Sequence, residues 1–187
     1  MTTGNILDPT AQIKDDISDP GPQVLSLIGK TVGFRVDILW RSWDWVSEIW
    51  AEQLRAAGAT VKFWRPAGRS GDEGDRALAE MREFWNSVDI AVVGLANCGS
   101  CTGWTIHDAL AAAACGIPSV AIATRHFEQL AHALAKRGGR SGLRVHVLPY
   151  PLDVLPAEEI HGIARDHYRP LLRTLGLPDR LVDEQAA

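Results

Sequence analysis

The residues best suited to chemistry in this chain are two cysteines three positions apart, in Cys98-Gly99-Ser100-Cys101. Thiols at this spacing can close a disulfide, so a thiolate that attacks first has a resolving partner within reach. The motif follows a nearly continuous apolar run, Val88 to Leu95, and precedes a helical stretch that begins near Thr105. A strand-to-helix turn sets the first thiol against unpaired N–H groups at the positive end of the helix dipole, which favours thiolate at neutral pH. Gly99 and Gly103 leave room for a ligand to approach the backbone. Asn97, Ser100, Thr102 and the free amides can hold an anionic substrate group. Two bland alternatives stand beside this reading: two small residues in a tight turn, or half of a zinc site. Zinc needs two further ligands, and the sequence has neither a second CxxC nor an HxxxH.

The elements that must position these thiols alternate in type. Apolar runs at residues 31–38, 60–65, 88–95, 117–124 and 143–149 read as strands, and helical periodicity fills the intervals between and after them. The first helix has Ser42 as a candidate cap and an apolar stripe of Val46, Ile49, Trp50, Leu54 and Ala57, closed by Gly58. Parallel strands require crossovers, so this alternation predicts an α/β fold. We expect three layers: a flavodoxin-like parallel sheet of about five strands in the order 2-1-3-4-5, with helices on both faces. Residues 1–29 read as an extended arm packed on a neighbour, 30–178 as one α/β domain, and 179–187 as a frayed tail.

In such sheets ligands bind beyond the carboxyl ends of the strands, where the strand order reverses. For this order the reversal lies between the first and third strands. It joins Asp37-Ile38-Leu39-Trp40-Arg41-Ser42-Trp43-Asp44 to the cysteine turn. Asp37, Trp40, Arg41 and Ser42 are therefore candidate substrate-binding residues, with Arg41 suited to clamp a carboxylate and Trp40 and Trp43 to wall a pocket. Arg125 and His126, at the end of the fourth strand, are candidates for its rim. His107 and Asp108 follow the thiols and are candidates for moving protons, Asp108 on the helical face of Cys101 and His107 about 100° away. Cys115 reads as a small buried filler, and Lys136, Arg137, Arg140 and Arg144 as a solvated face.

The stretch from Val88 to Thr102 resembles the UGSC family of (seleno)proteins, many members of which carry selenocysteine where this chain has Cys98. Ile6-Leu7-Asp8-Pro9-Thr10 and Cys115-Gly116-Ile117-Pro118 extend the likeness over most of the chain. A more distant similarity is to the selenoprotein B components of glycine and D-proline reductases, which cleave a C–N bond reductively. The resemblance implies that Cys98 is the nucleophile.

Composition narrows the remaining choices. Hydrophobic residues make up 46% of the 187 and charged residues 22%, the balance of a globular chain. The 19 Lys and Arg against 23 Asp and Glu leave no basic face for nucleic acid. The longest apolar run, Ala109 to Ala123, is broken by Gly116 and Pro118 and is too short to span a membrane. The first residues carry neither a basic leader nor an apolar run, and three sparse cysteines do not make a disulfide framework, so a cytoplasmic location is expected. No dinucleotide or P-loop glycine motif occurs, and no cofactor or metal is expected. The reading is thus a Cys98/Cys101-dependent enzyme acting on a small, polar, anionic molecule by reductive cleavage or addition–elimination. It draws on a thiol reductant or partner subunit and forms a homo-oligomer through exposed tryptophans. The alternatives are a cysteine-based lyase, isomerase or hydrolase without net redox, and a non-catalytic binding subunit.

Overall fold

A computed structural model describes residues 15–66 and 68–184. Five parallel strands form one sheet: β1 (Thr31–Arg35), β2 (Thr60–Trp64), β3 (Ile90–Ala96), β4 (Ser119–Thr124) and β5 (Arg144–Leu148). Their order is β2-β1-β3-β4-β5, the flavodoxin-like arrangement expected from the sequence. The helices are α1 (Arg41–Ala56), α2 (Gly71–Asn86), α3 (Gly99–Ala114), α4 (Glu128–Arg137), α5 (Ala157–Thr174) and α6 (Asp179–Glu184). Every residue of β3 and β4 is buried, because both strands lie inside the sheet and are covered on both faces.

Side-chain alternation along the central strands divides the core in two. Val92, Val120 and Ile122 face α1, α5 and α6, whereas Ala91, Val93, Ala121 and Ala123 face α2, α3 and α4. The second layer is built largely from alanines, including Ala109 and Ala112 of α3, so α3 lies close on the sheet and holds the cysteine turn against it. Gly116, at φ +76°, adopts the left-handed conformation that ends this helix after Cys115.

Several sequence expectations change here. Trp43 does not wall a pocket. It is fully buried, stands edge-on to Trp50, and donates its indole N–H to the Arg35 carbonyl at 3.2 Å. Trp50 is equally buried, so the pair offers no surface for self-association. The described part of the arm lies on its own domain: Val24 and Leu27 enter the core, and Arg144 donates to the carbonyls of Pro20 and Gly21. Arg144 is therefore not part of a solvated face. The segment read as a frayed tail contains α6, whose Val182 is buried in the core. Cys115 is exposed, because it caps α3 one position past the end of the helix and beyond its last buried residue, Ala113.

Candidate functional site

The first strand stops at Arg35, earlier than its apolar run suggests, because Asp37 turns the chain. One oxygen of Asp37 accepts the N–H groups of Leu39 (2.9 Å) and Trp40 (3.2 Å), and the other accepts that of Leu95 (3.3 Å). This holds the entry to α1 beside the end of β3, at the reversal of strand order. Gly94 completes the junction. A Cβ there would lie 2.6 Å from the Trp43 ring, so only glycine fits.

The cysteine turn opens α3 from this same edge. Cys98 is the N-cap, and its Sγ accepts the Cys101 N–H at 3.0 Å. The Thr102 hydroxyl donates to the Cys98 carbonyl at 2.6 Å, closing the turn from below. Cys98 and Cys101 are disulfide-bonded, with their Cα atoms 5.1 Å apart. Cys98 is half-buried and has the Ser100 hydroxyl 3.4 Å from its sulfur, whereas Cys101 is buried. The Trp40 indole N–H reaches the Cys101 sulfur at 3.3 Å. Each sulfur therefore has its own N–H donor.

Cys101 and Ser100 line a cavity of about 210 Å³, together with Arg35, Asp37, Ile38, Leu39, Pro66, Gly68, Arg69 and Trp104. Its charged wall rests on Asp108, which is wholly inaccessible to solvent. Asp108 accepts from Arg35 Nε (2.9 Å) and from both terminal nitrogens of Arg69, and lies 3.0 Å from His107 Nδ1. Burial opposes ionisation of Asp108. Hydrogen bonds from His107 and Arg69 and the Arg35 charge outweigh that cost, and hold the carboxyl below the ordinary carboxylate range. Arg35 in turn donates to the Gly94 carbonyl at 2.7 Å and pairs with Asp37 at 3.3 Å. The Arg69 guanidinium lies over the rings of Trp104 (4.9 Å) and Trp64 (5.7 Å).

Of the candidates read from the sequence, Asp37, Trp40, Ser100 and Cys101 meet at this cavity or touch its sulfurs, with Cys98 and Gly99 in the turn itself. The others lie elsewhere. Arg41 extends over Trp45 at 5.3 Å, outside the cavity. Ser42 does not cap α1: its backbone N–H donates to Asp153, and its buried hydroxyl has no partner among the described residues. Asn97 is spent on Asp153 and Thr124, and Thr102 on the turn. Arg125 is exposed and paired with Glu128, while His126 stacks on Tyr150. His107 faces a neighbouring hollow shared with Ser70 and Gly71. Asp108 is occupied with the two arginines.

The sequence reading missed Arg35, Arg69 and Trp104. Arg35 carried a signal, a charge inside an apolar strand, which is tolerated only when paired. Arg69 carried none, since it lies in an irregular loop. No group of three or more His, Cys, Asp or Glu side chains gathers among the described residues, and no described helix is long and apolar enough to cross a membrane.

Fold and site define an α/β protein with a parallel five-stranded sheet and a CxxC pair opening the helix after its central strand. More particularly, the family model described as the UGSC family matches residues 5–177, and the chain belongs to that family. No curated protein matches it. Among solved structures it is similar to the NAD(P)H:quinone oxidoreductase from Methanothermobacter marburgensis, at 14% identity and a TM-score of 0.44, over 76% of this chain and 98% of that one.

Proposed function

We propose that the protein is a thiol-dependent oxidoreductase whose Cys98–Cys101 pair reduces a small molecule bound in the adjoining cavity. The observation that carries this reading is the pair of N–H donors on the two sulfurs, Cys101 N–H on Cys98 and the Trp40 indole on Cys101, in a turn whose Ser100 and Cys101 line that cavity. Such donors stabilise charge on sulfur more than they stabilise a neutral thiol.

In the reduced state the Cys98 thiolate attacks an electrophilic centre of a substrate R–X, forming a Cys98–S–R bond as X leaves with the bonding pair. The Cys101 thiolate then attacks the Cys98 sulfur, and R departs with its electron pair. R and X each take up one of the two thiol protons. The sum is dithiol plus R–X giving disulfide, R–H and H–X. An external thiol reductant returns the pair to the dithiol.

Cys115 is an internal control, being free and exposed. In the protein as isolated under air, an alkylating reagent is expected to label Cys115 alone. After reduction Cys98 is expected to label at least tenfold faster than Cys115, and Cys98→Ser should abolish reductant-dependent turnover of any metabolite that oxidises the pair. Equal, slow labelling of all three reduced cysteines would overturn the reading.

A further inference from the structure

The charged side chains of the cavity beside Cys101 offer hydrogen-bonding capacity of one kind only, and Ser100 adds a single hydroxyl that can serve either way. Asp37 is the cavity's sole carboxylate, and four N–H groups occupy the two oxygens: Leu39 and Trp40 on one, Arg35 and Leu95 on the other. A carboxylate offers about four lone-pair sites, so Asp37 has no acceptor capacity left for a ligand. The arginines are less fully spent. Asp108, Asp37 and the Gly94 carbonyl engage Nε and Nη1 of Arg35, and Asp108 engages both terminal nitrogens of Arg69. Arg35 Nη2 and Arg69 Nε have no partner among the described residues, and both side chains line the cavity. Arg35 is 3% exposed, so its guanidinium is set in place before any ligand arrives. The remaining lining is chiefly apolar: Ile38, Leu39, Pro66 and Trp104.

We infer that this cavity is a carboxylate site, with Arg35 and Arg69 taking the oxygens and the apolar wall receiving an apolar body. An acceptor-only, planar group is what two guanidinium edges recognise best. The walls disfavour a ligand hydrated on every side, such as inorganic phosphate. The inference rests on the thiol reading in one respect: the bound carboxylate is the molecule on which the sulfurs act.

The test is calorimetric titration of the oxidised protein with butyrate, benzoate, butyramide, benzamide and inorganic phosphate. Benzoate is expected to bind at least tenfold tighter than benzamide and tighter than phosphate. Arg69→Gln should weaken benzoate at least tenfold and leave benzamide unchanged, with Arg69→Lys intermediate. Circular dichroism identifies any variant that has not folded, and the comparison of acid with amide in the unaltered protein stands without the variants. Equal binding of acid and amide, tighter binding of phosphate, or no saturable binding of any carboxylate would overturn the inference. Benzoate binding is read without turnover and cysteine labelling is read without benzoate, so loss of the thiol reading and loss of the carboxylate site give different results.

Discussion

Replacing Asp108 by asparagine tests the structural basis of the whole site. Asp108 is enclosed, and its two oxygens face donors from Arg35, Arg69 and His107. Asparagine keeps the shape but removes the charge, and turns an NH2 group towards nitrogens that are themselves donors. Breaking a buried ion pair from one side costs about 3–5 kcal/mol, because the remaining charge stays buried without compensation. Two features place Asp108→Asn near the lower end. Arg35 keeps Asp37 and the Gly94 carbonyl, and Arg69 retains partial access to water. About 3 kcal/mol in a chain of this size corresponds to a fall in Tm of roughly 6–12 °C. Urea unfolding at pH 7 measures the first quantity and a thermal melt the second. Adding Arg35→Met should recover part of the loss, because it removes the stranded charge, giving a coupling of at least about 1 kcal/mol. A loss below about 1 kcal/mol, or strict additivity of the two substitutions, would refute the claim that Asp108 holds the arginines in place.

Two further outcomes are expected. Trp40→Phe removes the only side-chain N–H seen on the Cys101 sulfur among the described residues, and with it a hydrogen bond that strengthens as that sulfur gains charge. Equilibration with glutathione should then lie about tenfold further towards the disulfide, the equivalent of one charge-assisted hydrogen bond. An unchanged equilibrium would remove Trp40 from the redox pair. Away from the site, the Thr174 hydroxyl donates to the Pro170 carbonyl and so accepts from His146 Nδ1–H, leaving His146 Nε2 to accept from His167. Burial, with the nearby His167 charge, pushes His146 down to about 4 from an ordinary value of 6.5. Between those values the unfolded chain takes up a proton that the folded chain refuses. Stability is therefore complete above about pH 6.5 and falls as the pH drops towards 4, by on the order of 3 kcal/mol. Urea unfolding across that range should show the slope in the native protein and a flatter one in His146→Asn.

Much of the architecture was legible in the amino-acid order, because the rules that set it are local or combinatorial. Apolar runs bounded by turn residues marked the strands, helical periodicity marked the crossovers, and parallel pairing then left few permitted sheet orders. The same logic brought Cys98, Cys101, Asp37 and Trp40 to one edge, since the reversal between β1 and β3 lies there whatever the side chains do. What the chain order could not convey was which charges would meet. Arg35 and Asp108 are 73 positions apart, and Arg69 reaches Asp108 from a loop with no periodic pattern. Arg41 and Ser42 sat at the expected place in the sequence. The turn made by Asp37 started α1 directly after Trp40, and the two side chains left the cavity. Folding decided those outcomes because a buried charge is tolerated only where distant partners can surround it, and such partners are found in three dimensions and not along the chain.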